Sequence, residues 1–174
     1  MVEESQKKKV VKNVFLFLIK FNLLLIPFYV IIYMDIDFYT LQTLFAHILS
    51  LVLRLLGYKV SVSGFFMFVG DEELPIDISR DCIGWKSTYS LFALVLATKG
   101  KLKEKLKFLL IWIPVLLILN FFRVLLTIIC GLLFGVEYLE LIHAFIWQVI
   151  MMFVLLGIWY IWLRSTGYSK RVKE

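Results

Sequence analysis

Residues 14–33 form an apolar run interrupted by Lys20, and this run limits the fold of the chain more than any other feature. A helix of about 20 apolar residues matches the hydrocarbon thickness of a bilayer. The run exceeds the apolar core of a cleaved signal peptide, and no A-x-A-like site follows it, so a retained first membrane helix is expected. Lys20 lies within two turns of the end nearest the N-terminus, where a long side chain snorkels to the interface. Three later segments, 83–98, 108–130 and 143–163, read as further spans. Of the 174 residues 61% are hydrophobic and 18% charged, and the mean hydropathy is +0.90. That composition leaves no room for a separate soluble domain. The expected fold is therefore an all-α membrane protein of about four transmembrane helices, forming one integral membrane domain over 1–174.

Charge supplies the orientation. The 19 Lys+Arg and 13 Asp+Glu leave a net charge of +6, and the basic residues fall in three places. Lys7, Lys8, Lys9 and Lys12 precede the first run, five lysines occupy residues 99–107, and Arg164, Lys170, Arg171 and Lys173 follow the last run. Cytoplasmic loops of membrane proteins carry the Lys/Arg excess, so both termini and the 99–107 loop are expected inside. Segments 34–80 and 131–142 are then outside, and Asp35, Asp37, Asp71, Glu72, Glu73, Asp77, Asp81, Glu137 and Glu140 all fall in or beside them. The basic balance thus reports a multi-pass cell-membrane topology, and nucleic acid is not an expected partner. Residues 40–56 are apolar but interrupted by Gln42, His47, Ser50 and Arg54. If they spanned, the five-lysine loop would face outward, so they are read as an amphipathic helix in the outer interface. Alternation in 59–63 and 74–79 around β-rich 65–69 predicts a small outer β-hairpin leading into Asp81 and Cys82.

Ionisable groups within a membrane are functional hypotheses by default, and three converge. Cys82 opens the second span at its outer end, and His143 opens the last at the same side. Arg123 lies 15 residues beyond Phe108, roughly 22 Å along a helix, which puts it in the outer third of the bilayer. This depth follows from lysines and acids alone. A thiolate is the reactive form of cysteine, and a neighbouring Arg or His lowers the thiol pKa. Histidine can take the thiol proton and return it to a leaving group, while arginine can place donors on an oxyanion. Lys86, one turn from Cys82, is read as snorkelling outward, and Cys130 as a packing thiol on the Arg123 helix. The chain has no metal-ligand set, phosphate loop or dinucleotide fingerprint, and no cofactor is expected.

The same residues carry a family resemblance. Cys82-Ile-Gly84-Trp-Lys-Ser87 resembles the C-x-G-x-x-S motif of the exosortase/archaeosortase family, Asn120-Phe-Phe-Arg123 resembles its N-x-x-R motif, and His143 matches its third position. The resemblance covers residues 80–148. It implies a membrane-embedded cysteine protease/transpeptidase with Cys82, Arg123 and His143 as catalytic residues and Gly84, Ser87 and Asn120 in support. The implied substrate is a secreted protein with a C-terminal tripartite sorting signal: a short motif, an apolar helix and a basic tail. The acyl group would pass to an envelope acceptor, a membrane lipid in archaeal members. Ile83 stands where many relatives have a small or hydroxylic residue, and the chain lacks the further helices that many carry. The competing reading is a non-catalytic membrane assembly or transport subunit in which Arg123 and His143 pair with a partner helix.

Overall fold

The structure, a computed structural model, describes residues 2–70, 74–135 and 147–166. Five α-helices are described: α1 (Val2–Tyr33), α2 (Tyr39–Leu55), α3 (Trp85–Ala97), α4 (Leu102–Phe134) and α5 (Trp147–Ser165). Between α2 and α3 stand β1 (Val60–Ser63), β2 (Phe66–Val69) and β3 (Leu74–Asp77), followed by a 3₁₀ turn, Arg80–Ile83. By backbone proximity the chain divides into two compact units. The first comprises Met1–Ile36, Ser87–Pro114 and Phe153–Glu174, and the second Asp37–Lys86 and Val115–Met152.

Among the described residues two helices have the length and composition to cross a bilayer, Val10–Tyr33 of α1 (24 residues) and α4 (33 residues). Val11, Phe15, Leu18, Leu23 and Ile26 of α1 are exposed, as lipid-facing side chains are. α3 has 13 residues, roughly 20 Å of helix, short of the ~30 Å hydrocarbon core. The structure therefore bears out a mostly helical chain with membrane-length helices, and four complete crossings are not established. The start of the expected 143–163 span lies outside the described residues.

Within the first unit the basic segment is more structured than a solvated loop. α4 already begins at Leu102, and Lys105 is buried in its first turns. Its Nζ donates to the carbonyls of Leu96 (2.9 Å) and Thr98 (2.5 Å), satisfying acceptors that the end of α3 leaves without intrahelical donors. Trp162 Nε1 donates to Thr98 Oγ1 at 2.7 Å, and Tyr89 donates to the Leu24 carbonyl at 2.7 Å, tying α3 to α1.

The second unit is built on α2 and the strands. Gln42, Ala46, Leu49, Ser50 and Leu53 form the buried face of α2, the i, i+4, i+7, i+8, i+11 spacing of one helical stripe. Leu41, Leu44, Ile48, Leu51 and Leu55 remain exposed on the other side, and Thr40, Thr43, His47 and Arg54 share a polar stripe between the two, so the helix is amphipathic as expected. The expected hairpin is instead a three-stranded antiparallel meander, order β1-β2-β3. Val60 pairs with Val69 and Met67 with Ile76, placing Val60, Val62, Met67, Val69, Ile76 and Ile78 on one face. This face packs with α2 and with Val124, Leu125 and Ile128 of α4 into one core, which includes Cys82.

Candidate active site

The site grows out of the strand-to-helix junction. After β3 the chain turns at Ser79 into the 3₁₀ turn, closed by the Cys82 N–H donating to the Ser79 carbonyl at 2.9 Å. The same geometry brings Ser79 Oγ to 3.4 Å from Cys82 Sγ. Gly84 then adopts a left-handed conformation, φ +78°, and α3 starts at Trp85. Only glycine takes that conformation without a Cβ penalty.

α4 meets the turn through Asn120, which is 1% exposed. Asn120 Nδ2 donates to the Cys82 carbonyl at 2.6 Å. A Cβ on Gly84 would stand 2.9 Å from Asn120 Cγ and Nδ2, so the glycine clears the space the amide occupies. The C-x-G and N-x-x-R elements are thus two halves of one clamp: the glycine admits the asparagine, and the asparagine holds the cysteine backbone. Arg123 follows one turn along α4, and Cys82 and Asp81 both act on it electrostatically. Its Nε is buried and has no hydrogen-bond partner among the described residues. Thr127 donates to the Arg123 carbonyl at 2.8 Å.

Cys82 is 6% exposed. Burial pushes its thiol pKa up; the Ser79 hydroxyl and the Arg123 charge oppose that rise, and Asp77 adds to it. Burial thus holds the group as a thiol, and the Ser79 hydroxyl and the Arg123 charge offset that only in part. Cys82 and Cys130 are both free. Lys86 is engaged by Asp81 at 2.6 Å rather than by the thiol. Ser87 lies half-buried in the first turn of α3. His143 lies outside the described residues. Ser79 was not singled out from the sequence, although its i−3 spacing from Cys82 in a tight turn is the signal that would have found it.

The clamp yields an expected outcome. Gly84→Ala places a side chain at positive φ, costing about 1–2 kcal/mol, and drives it into Asn120. Protein yield in membranes and activity should both fall. Adding Asn120→Ala should restore yield by removing the obstruction but not activity, because the Cys82 carbonyl loses its donor. Restored activity in the double variant would reduce Asn120 to a packing residue.

A family model described as transmembrane exosortase matches residues 10–160. No curated protein and no solved structure matches the chain. The matched region spans α1 through most of α5 and includes the Cys82 turn, Asn120 and Arg123. The chain belongs to the transmembrane exosortase family.

Proposed function

We propose that the protein is a cysteine transpeptidase that cleaves a C-terminal sorting signal of secreted proteins and passes the acyl group to an envelope acceptor, a membrane lipid. Family membership supports a membrane transpeptidase in general. The observation that favours a cysteine mechanism is the clamp: a buried asparagine on one helix fixes the backbone of a thiol that sits within the field of an arginine one turn away. A buried carbonyl needs a donor in any fold; what supports a chemical role is that this donor fixes the Cys82 backbone while the thiol lies beside Ser79 and within the field of Arg123.

In this mechanism the His143 imidazole takes the Cys82 proton as Sγ attacks the scissile carbonyl carbon. A C–S bond forms, and the carbonyl oxygen becomes an oxyanion that the Arg123 guanidinium stabilises. The oxyanion collapses, the C–N bond breaks, and the imidazolium returns the proton to the departing amine. The acceptor nucleophile then attacks the thioester, giving its proton to His143, and the released thiolate is reprotonated. The test is acylation itself: protein quenched in acid during turnover should carry a hydroxylamine-labile acyl group on Cys82. Continued cleavage with no acyl-enzyme on Cys82 would contradict the mechanism.

The same reading keeps one membrane domain of four crossings with both termini cytoplasmic and the site at the outer face. In a Cys82→Ser, Cys130→Ser background, a membrane-impermeant maleimide applied to intact cells should label Glu72→Cys and spare Lys103→Cys. The reverse pattern would mean that α2 spans and that the site faces inward.

A further inference from the structure

A cavity of about 300 Å³ opens in the second unit, lined by Asp37, Tyr39, Gln42, Phe65, Asp77, Ser79 and Arg80. Ser79 belongs both to this cavity and to the Cys82 environment, its Oγ lying 3.4 Å from Sγ. The cavity is therefore next to the proposed nucleophile, and its lining has a definite character. Two carboxylates stand against one guanidinium, and neither Asp37 nor Asp77 has an ion-pair or hydrogen-bond partner among the described residues. Gln42, 5% exposed, donates Nε2 to the Ile78 carbonyl at 3.0 Å. Tyr39 and Phe65, in edge contact with centroids 5.9 Å apart, supply aromatic surface on which the methylenes of a long cationic side chain can lie.

The backbone adds a direction. The Ile78 N–H donates to the Phe65 carbonyl, so in the antiparallel register the odd positions Pro75 and Asp77 turn their backbone groups away from β2. β3 has no second neighbour among the described strands. Pro75 has no N–H to offer, which confines pairing to the Asp77 end, and from there the chain runs through Ser79 to Cys82 in five residues. An extended peptide added at this edge has its carbonyls led toward the thiol.

We infer that this cavity is the subsite for a basic side chain on the acyl side of the bond that is cut, carried by a substrate segment extended along the free edge of β3. The inference rests on the cysteine reading of the preceding section. The acyl side follows from solvation: the apolar helix of the sorting signal leaves with the amine and stays in lipid, whereas a cavity with two exposed carboxylates belongs in water. A peptide fits better than a small acceptor because the edge strand offers backbone pairing that an amine headgroup cannot use. A cation beside Asp77 also offsets the one nearby charge that disfavours the thiolate, so the matching substrate promotes its own attack.

The experiment uses the full-length protein in detergent and peptidyl chloromethyl ketones, which alkylate a cysteine from the acyl side without requiring the natural substrate. Three series place Lys, Gln or Glu at the first, second or third residue from the reactive carbon in an otherwise Gly/Ala peptide. Alkylation of Cys82 is followed by intact mass, each rate divided by that of iodoacetamide to remove differences in thiol reactivity. At one position Lys should react about fivefold faster than Gln, and Glu more slowly than either. Asp37→Asn and Asp77→Asn should each erase that preference, and Asp37→Lys should transfer it to Glu. Equal rates for the three side chains at every position, or a preference that survives both Asp→Asn changes, would overturn the inference. If the preference survives while the Asp variants alter only the partition of a Cys82 thioester between amine and water, the cavity serves the acceptor and the inference likewise falls. Failure of iodoacetamide itself to modify Cys82 in the folded protein would strike the cysteine reading beneath it.

Discussion

Cys82→Ser is expected to abolish processing, with loss of roughly 10³-fold or more, while Cys130→Ser leaves it within about twofold of the wild type. The difference follows from placement. Cys82 sits in a turn held by Ser79 and Asn120 and within the field of Arg123, whereas Cys130 lies two turns beyond Arg123 on α4 and is a free, half-buried thiol. Serine keeps the size and the hydrogen bond to Ser79 but is a far weaker nucleophile at neutral pH. Uncleaved substrate should accumulate in cells carrying Cys82→Ser, and only the wild type and Cys130→Ser should form the hydroxylamine-labile adduct. Loss of activity in Cys130→Ser with retention in Cys82→Ser would move the nucleophile to α4. Retained activity in both would remove the enzyme reading and favour a non-catalytic subunit. The pH profile supplies a second check. Because burial raises the Cys82 thiol pKa, the thiolate is scarce in the resting protein, and the rate of iodoacetamide alkylation should still be climbing above pH 8.

How far the site can be read from sequence depends on whether its parts are local. Lengths of apolar runs located α1, α3 and α4 to within a few residues over their apolar portions, because lipid imposes helix and length together. Cys82, Gly84, Asn120 and Arg123 could be picked out because their spacing is motif-like, and the structure brings all four into one unit. What the spacing could not supply was the reason for it. The dependence of Asn120 on Gly84 is a contact across 36 residues of chain, visible only when a Cβ is placed against the amide. All three strand segments, 59–63, 65–69 and 74–79, are visible in the sequence, but alternation marks strands without saying which pair, so the meander reads there as a hairpin. The lysine-rich pattern places Lys105 in a basic loop between two spans. Lys105 is buried instead because α3 ends with carbonyls that need donors and a long side chain can reach them. Gln42, taken as an interruption of an apolar helix, is buried for a related reason: it satisfies the Ile78 carbonyl where β3 runs out of partners. In each case a backbone group left over at the end of an element recruited a side chain from elsewhere, and such needs are not written in local sequence.

Arg123→Lys should cost about 10²-fold or more in turnover while the protein still inserts and accumulates normally. The two side chains carry the same charge, so the change isolates geometry: the guanidinium is a planar fork of five donors, the ammonium a compact, strongly hydrated point. We propose such a role for Arg123 on its surroundings. Thr127 bonds its backbone carbonyl, Asp81 and Cys82 flank it electrostatically, and Nε is buried without a partner among the described residues. A buried donor in that state is costly, and an oxyanion formed at Cys82 would remove the cost only in the transition state, which is where binding energy accelerates a reaction. Loss of one oxyanion donor typically costs about 10²–10³-fold in kcat, so Arg123→Lys should lower kcat and leave KM nearly unchanged. The alkylation profile of Cys82 separates this from a charge effect. The Arg123 charge holds the thiol pKa down against burial, so Arg123→Gln should move the rising limb to higher pH, whereas Arg123→Lys should leave it nearly in place. Near-normal kcat in Arg123→Lys would reduce Arg123 to a local positive charge. An unshifted limb in Arg123→Gln together with normal kcat would remove it from the chemistry altogether.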